Sequence, residues 1–333
     1  MTVAEARTGV VLRDPLPWRD EREVVETVEA TGYDAIFVPE SDAREAFSAL
    51  AGFAGVAARP LLGTGVVPMW SRSPTATAMA AATVQELSGG RFVLGVGAGG
   101  GPRGVAAEAF RGLSPLAAVE AYTRVVRQAL AGEPVGPGDV FGAEGFRLRL
   151  DPGAPVPIWL AALGDGMVGL AGRVADGVLL NWCTPERVAS ARATLREAAE
   201  RAGRDAASIT VAVYVRACLG QEDEVALPPL ARAAAQYASY PGYRRQFEAM
   251  GLAGEAAAAA AAARAADPVP GAGPLARALV VTGGRAEATG RFAAYREAGA
   301  DLVLCYPVLA GHDAFSSLLG TVMAAAPRPA LER

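Results

Sequence analysis

Lysine is absent from this 333-residue chain, and histidine occurs once, as His312. All 31 basic residues are therefore arginine. Without lysine the chain can form no Schiff base, tether no pyridoxal phosphate and supply no P-loop lysine. A single histidine excludes a histidine-rich metal site and any paired-histidine mechanism, so no metal is expected. Cysteine is scarce. Cys183, Cys218 and Cys305 are widely spaced and odd in number, without the spacing of a zinc site or a disulfide framework. They read as reduced, buried thiols. No apolar run reaches the roughly 18 residues that suggest a membrane span. The first residues include Glu5 and Arg7 and lack a continuous apolar stretch, so no signal peptide is expected and the cytoplasm is the default location. Net charge is −4, with no basic stripe, so nucleic acid is not an expected partner. The chemistry is left to carboxylates, arginines, tyrosines, backbone amides or a bound cofactor.

What the chain does have is 52% hydrophobic residues arranged in short runs. Strands are expected at 9–12, 35–38, 61–67, 92–97, 158–161, 177–180, 209–215 and 302–306. Most are continuously apolar, as strands covered on both faces are. Helical patterns lie between them, at 22–31, 44–58, 75–87, 115–131, 167–173, 185–202 and 287–298. Eight strands alternating with helices predict a closed parallel (β/α)₈ barrel, here one domain over 1–333. An open doubly wound sheet is the alternative. Two connections are long. In the Gly- and Pro-rich stretch 132–155, residues 140–150 read as a small hairpin or an extended excursion. The stretch 228–274 reads as a helical insertion between the seventh and eighth strands, because its alanine run 256–263 has high helix propensity. Within it, 268–274 is expected to be a loop. Such insertions at the carboxyl face act as lids or as peripheral packing. The end, 325–333, reads as a frayed tail.

Three motifs carry potential chemistry. Gly95-Val96-Gly97-Ala98-Gly99-Gly100 matches a dinucleotide fingerprint, but no acidic residue closes the next strand at the required spacing. The better reading is a glycine-lined strand end that a flat ring can approach closely. Ala162-Leu163-Gly164-Asp165-Gly166 joins a strand to a helix, where free N–H groups favour an anion such as phosphate. A plain turn with Asp165 as N-cap is the competing reading. Gly63-Thr64-Gly65-Val66-Val67, followed by Ser71-Arg72-Ser73-Pro74, suggests a bulge or a ligand contact. Arg72 would hold an anion or ring carbonyl there, or else cap the surface.

Taken together, these segments resemble the luciferase-like superfamily of flavin- and deazaflavin-dependent oxidoreductases. The stretch from Gly63 through Pro74, then Thr83-Val84-Gln85-Glu86-Leu87-Ser88-Gly89-Gly90-Arg91-Phe92-Val93-Leu94-Gly95-Val96-Gly97, is similar to that family's third and fourth strands. Val156-Pro157-Ile158-Trp159-Leu160-Ala161-Ala162-Leu163-Gly164, with Arg173-Val174-Ala175-Asp176-Gly177-Val178-Leu179-Leu180-Asn181, resembles the fifth and sixth. Glu120-Ala121-Tyr122, Gly132-Glu133-Pro134-Val135 and Tyr295-Arg296-Glu297-Ala298-Gly299-Ala300-Asp301 fit the intervening and last helices. The match spans most of the chain, and its motifs stand in the family's order.

The resemblance implies a TIM barrel with a tricyclic redox ring over its carboxyl mouth. It implies a non-proline cis peptide within Thr64–Val67, beneath the ring. It places cofactor contacts at Thr64, Gly65, Val66, Arg72, Gly97, Ala98, Gly99 and Ala162 through Gly166. Two departures bear on the cofactor. Pro39-Glu40-Ser41-Asp42 stands where deazaflavin-dependent members commonly carry an Asp-His pair, and Ala98 stands where bacterial luciferases carry arginine. Ala98 and Asp165 both disfavour the doubly charged FMN phosphate, so coenzyme F420, a deazaflavin, is preferred and FMN is the alternative. The expected activity is hydride transfer to a small organic substrate. An FMN-dependent monooxygenase and a catalytically degenerate binding barrel remain as alternatives. Proton donors would be Glu40, Tyr240, Tyr243 or His312. Trp18, Trp70, Trp182, Tyr240 and Tyr243 would line a substrate pocket. Alanine-rich helix faces suggest a homodimer.

Overall fold

The computed structural model describes residues 8–13, 16–99 and 112–328. Eight parallel strands close on themselves: β1 (Thr8–Val11), β2 (Ala35–Val38), β3 (Leu61–Thr64) with its continuation β4 (Val67–Pro68), β5 (Phe92–Gly97), β6 (Ile158–Ala162), β7 (Gly177–Asn181), β8 (Thr210–Leu219) and, after a short β9 (Val281–Gly283), β10 (Leu302–Pro307). The β8–β10 and β10–β1 pairings complete the ring, so the open doubly wound sheet is excluded. The expected strand 61–67 is divided in two, and the bond between Gly65 and Val66 is cis.

The continuous apolar runs arise because each strand buries both faces. Inward residues form one cluster: Val11, Phe37, Leu61, Val93, Trp159, Leu179, Tyr214, Leu304 and Tyr306 among them. Outward residues such as Ile36, Leu62, Leu160, Val178 and Val213 pack under the helices. Inside the barrel, large side chains face glycines. A Cβ on Gly63 would lie 2.5 Å from the Phe37 ring, and one on Gly177 would lie 2.6 Å from Trp159. The Phe37 and Trp159 rings stack at 5.5 Å. Gly63 of the third strand and Gly177 of β7 are therefore explained by the protein's own packing, not by a ligand.

The surrounding helices are α1 (Trp18–Ala30), α2 (Ala46–Ala54), α3 (Pro74–Leu87), α4 (Pro115–Leu130), α5 (Asp165–Val174) and α6 (Pro185–Arg201) in the first six units, with α11 (Arg285–Glu297) and α12 (Ala314–Ala325) flanking β10. Three of them start alike. Ser73, Ser114 and Thr184 accept a backbone N–H of the first turn, and Pro74, Pro115 and Pro185 follow at the first helical position. Proline sacrifices no donor there, and each cap contributes about 1 kcal/mol.

The insertion between the seventh and eighth barrel strands comprises α7 (Asp223–Ala238), α8 (Pro241–Ala249), α9 (Ala253–Ala262) and α10 (Val269–Leu279). It has its own apolar core, built on Leu230, Phe247 and Leu275 with many alanines. Residues 268–274 are not a loop. Pro268 caps α10 and the next proline lies in its first turn, where a missing N–H is harmless. Residues 140–150 form no hairpin. Their backbone is tied to Val135 through Val135 N–Phe146 O and Gly145 N–Val135 O, both 2.9 Å. The last described residues dock on α1, with Arg328 N donating to Thr31 O; residues 329–333 of the expected tail lie outside the described residues. No described helix is long and apolar enough to cross a membrane.

Candidate functional site

In a parallel barrel every carboxyl end opens on one face, so the residues just beyond the strands share a mouth. Its floor is the Gly65–Val66 bond. Tyr214 Oη of β8 donates to Gly65 O (2.5 Å), and Glu40 N, beyond β2, donates to Val66 O (3.3 Å). Thr64 is buried, and its hydroxyl bridges to β5 by donating to Gly95 O (2.9 Å) and accepting from Gly95 N (2.8 Å). The Val66 side chain leans across β5. A Cβ on Gly97 would lie 2.7 Å from it, so Gly97 serves this packing rather than an open strand end. Gly99 has φ +58, a left-handed conformation suited to glycine. The carbonyl of Ala98 accepts the indole N–H of Trp70. Trp70 is thus buried in the wall, with its polar atom already used.

Beyond β6, the segment from Ala162 to Gly166 turns into α5. Gly164, not Asp165, is the N-cap. The Asp165 carboxylate turns outward to Arg187 Nη1 (2.7 Å), and Arg187 Nη2 donates to Leu163 O (2.9 Å). The amides of Gly164, Asp165 and Gly166 consequently meet no acceptor among the described residues. A Cβ on Gly164 would touch nothing within 4 Å. Among the described residues nothing fills the space beside Gly164, and the free donors favour a negative group.

Glu40 lies at the opposite rim. Its carboxylate accepts from Ala46 N (3.2 Å), Arg72 Nη1 (3.4 Å) and Ser71 Oγ (3.5 Å). Burial raises its pKa above the ordinary glutamate value, while the Ala46 amide and Arg72 oppose that shift. Arg72 also binds Glu45 (2.7 Å) and lies over the Phe47 ring. With two carboxylates already on it, Arg72 braces α2 and is not placed to hold a cofactor anion.

The insertion supplies the wall beside β7 and β8. Tyr237 and Tyr243 meet edge to face at 4.7 Å, and Tyr237 packs on Trp182 at 5.2 Å. Tyr243 Oη accepts from Asn181 Nδ2 (2.8 Å). Trp182 is buried and has φ +52, an uncommon conformation for a bulky residue. Gln246 of α8 secures that turn by donating to Asn181 O (2.8 Å) and Trp182 O (2.7 Å). Gln246→Ala leaves two carbonyls without this donor. Urea unfolding is expected to report a loss of about 2 kcal/mol, with a changed tryptophan emission; an unaltered midpoint and spectrum would remove Gln246 from this role.

The other aromatic and titratable candidates are placed elsewhere. Trp18 is exposed and stacks on Phe53 at 5.9 Å between α1 and α2, in the outer layer. Tyr240 is exposed at the start of α8, where its Oη accepts from Gln236. His312 is exposed in the turn after β10. The three thiols are buried, and burial pushes Cys183, Cys218 and Cys305 up to about 12, 11 and 12, values that leave little thiolate near neutrality. Among the described residues no three His, Cys, Asp or Glu side chains are grouped to hold a metal ion.

Sequence reading missed Tyr214, Arg216, Tyr237, Asn181 and Tyr306. Arg216 reaches Asn181 Oδ1 from Nη1 (2.6 Å), and its Cζ lies 4.1, 4.4 and 4.9 Å from the ring centroids of Trp182, Tyr306 and Tyr237. A signal was available. Arg216 is the one charged residue of β8, on the same face as Tyr214. Ending the expected strand at Val215 placed it outside the barrel.

Comparison with known proteins agrees with this geometry. A family model described as luciferase-like monooxygenase matches residues 1–302. The 5,10-methylenetetrahydromethanopterin reductase of Methanolobus tindarius is 33% identical over 203 residues, 60% of each chain. A provisionally assigned coenzyme F420-dependent oxidoreductase of Mycobacterium tuberculosis is 35% identical over 206 residues, 56% of this chain and 58% of that one. The chain thus spans about three fifths of the length of the curated relatives it matches. Among solved structures, the coenzyme F420 dependent tetrahydromethanopterin reductase of Methanopyrus kandleri superposes with a TM-score of 0.76 at 21% identity, covering 96% of this chain and 97% of that one.

Proposed function

This chain belongs to the luciferase-like monooxygenase family, and from that premise we propose that it is an oxidoreductase that uses coenzyme F420 in hydride transfer to a small organic substrate. The observation that carries the choice of cofactor is the start of α5. Three successive backbone amides there meet no acceptor among the described residues, and the nearby Arg187 is already paired with Asp165. Amide donors with no spare cation beside them among the described residues suit the singly charged phosphodiester of a deazaflavin better than the dianion of FMN. The residues present therefore fit the group. Relatives named for the same coenzyme support the reading.

When bound, the reduced deazaflavin supplies the hydride. The chain binds and orients. Gly164, Asp165 and Gly166 would hold the phosphate through their N–H groups, and Gly65 and Val66 with Ala98 and Gly99 would form the bed of the ring, supported from beneath by Thr64 and Gly97. Trp182 and Tyr243 would exclude water from one side. Glu40 would hold the transferable proton on its carboxyl oxygen, since it is half-buried, lies beside Val66 and has a raised proton affinity. A homodimer working in the cytoplasm completes the reading.

The FMN-dependent monooxygenase reading draws on the family's description, and the degenerate barrel on the departures at Ala98 and Ser41. Titration of the purified protein with each cofactor, followed in the visible range, separates all three. Coenzyme F420 is expected to bind in the micromolar range and FMN at least about tenfold more weakly. Tighter binding of FMN would favour the monooxygenase, and binding of neither would favour the degenerate barrel.

A further inference from the structure

Among the described residues, Arg216 is a buried cation without a counter-charge. Only 4% of the residue is exposed. Its one hydrogen bond goes to the neutral amide oxygen of Asn181, and that amide is itself held by Tyr243. Three other partly buried arginines are paired with carboxylates: Arg72 meets Glu40 and Glu45, Arg187 meets Asp165, and Arg192 meets Asp301. Arg216 meets no carboxylate among the described residues. The rings of Trp182, Tyr237 and Tyr306 recover part of its lost hydration. A desolvated cation still needs an anion to offset the remainder.

The geometry also restricts the partner. Aromatic rings crowd the guanidinium, so a partner must approach in its plane, at the N–H fork. Planar N–H pairs match a carboxylate through two parallel hydrogen bonds. Strand alternation turns Arg216 inward at the carboxyl end of β8, above Tyr214. Tyr243 and Trp182 add aromatic surface beside it.

We propose that Arg216 recognises the carboxylate of the substrate, so that this mouth takes a small organic acid with an apolar or aromatic body. The acid's being a substrate rests on the oxidoreductase reading above, whereas its recognition is measured by binding alone.

The test uses benzoate and hexanoate, each against its neutral amide, in calorimetric titration of the full chain with and without coenzyme F420. The wild-type protein is expected to bind each acid at least about tenfold more tightly than its amide. In Arg216→Met the preference falls to about twofold or less, while coenzyme affinity and thermal midpoint stay near wild type. Arg216→Lys, with charge but no fork, falls between. Equal affinity for acid and amide, no binding of either acid up to about 10 mM, or an intact preference in Arg216→Met overturns the proposal. So does a selective loss of coenzyme binding in that variant, which would assign Arg216 to the cofactor. If the variant does not fold, the wild-type preference and Arg216→Gln decide. A clear acid preference without coenzyme binding upholds the role of Arg216 and overturns the cofactor reading.

Discussion

Gly95→Ala is expected to destabilise the protein by about 3 kcal/mol or more. The added methyl group would lie 2.1 Å from the carbonyl oxygen of Thr64. That oxygen belongs to backbone, and Thr64 is pinned to Gly95 by both hydrogen bonds of its hydroxyl, so nothing flexible can yield. Gly65→Ala makes an instructive pair with it. Its methyl group would lie 1.9 Å from Tyr214 Oη, a single side-chain atom. We expect a cost of about 2–3 kcal/mol in the wild-type background and about 1 kcal/mol in Tyr214→Phe, where that atom is gone. Tyr214→Phe alone should cost about 1 kcal/mol for the hydrogen bond to Gly65 O. Urea unfolding of the four proteins in this cycle, with Gly95→Ala alongside, gives the answer. An equal cost of Gly65→Ala in both backgrounds would show that Tyr214 is not what fills the space.

Glu40→Gln is expected to lower the turnover of the coenzyme-loaded enzyme by about 10²–10⁴-fold, the usual contribution of a positioned proton donor. The pH dependence has a definite sign. A donor must carry its proton, so the wild-type rate falls as pH rises through the raised Glu40 value, and that limb disappears in the variant. Stability follows the same linkage. A carboxyl whose pKa is raised by folding favours the folded state in its neutral form. That contribution is present below the ordinary glutamate value of about 4.3 and is lost as pH rises through the folded value. A permanently neutral glutamine should therefore match or slightly exceed the wild type near neutrality, within about 1 kcal/mol, although Arg72 keeps only Glu45. A catalytic loss without a stability loss separates proton donation from bracing. Turnover within about threefold of wild type, with the same pH profile, would remove Glu40 from the chemistry.

Much of the architecture could be read from the chain before any coordinates. Eight apolar runs marked the eight barrel strands to within a few residues, because burial on both faces removes polar alternation. The helical stretches expected from 75, 115 and 185 begin within one residue of the observed helices. The cis bond was placed by resemblance, and it lies within the stretch so assigned. Errors came where local signals have two meanings. Prolines at 268 and 270 read as a loop but stand at a helix start, where the same missing N–H costs nothing. The competing reading of Asp165 as a cap fails, because Gly164 takes that position and Arg187, 22 residues later, draws the carboxylate away.

The sequence by itself determined eight strands alternating with helices and the loops between them, because period and punctuation are local properties of a chain; closure into a barrel was decided by the β8–β10 and β10–β1 pairings. It also determined, by omission, that no lysine chemistry and no histidine pair can operate. Which charges remain free was decided only by the tertiary structure. Arg72 and Arg216 are the same residue type, but folding gives one two carboxylates and gives the other three rings and an amide. Charge pairing depends on which distant segments meet, and no local pattern records that meeting.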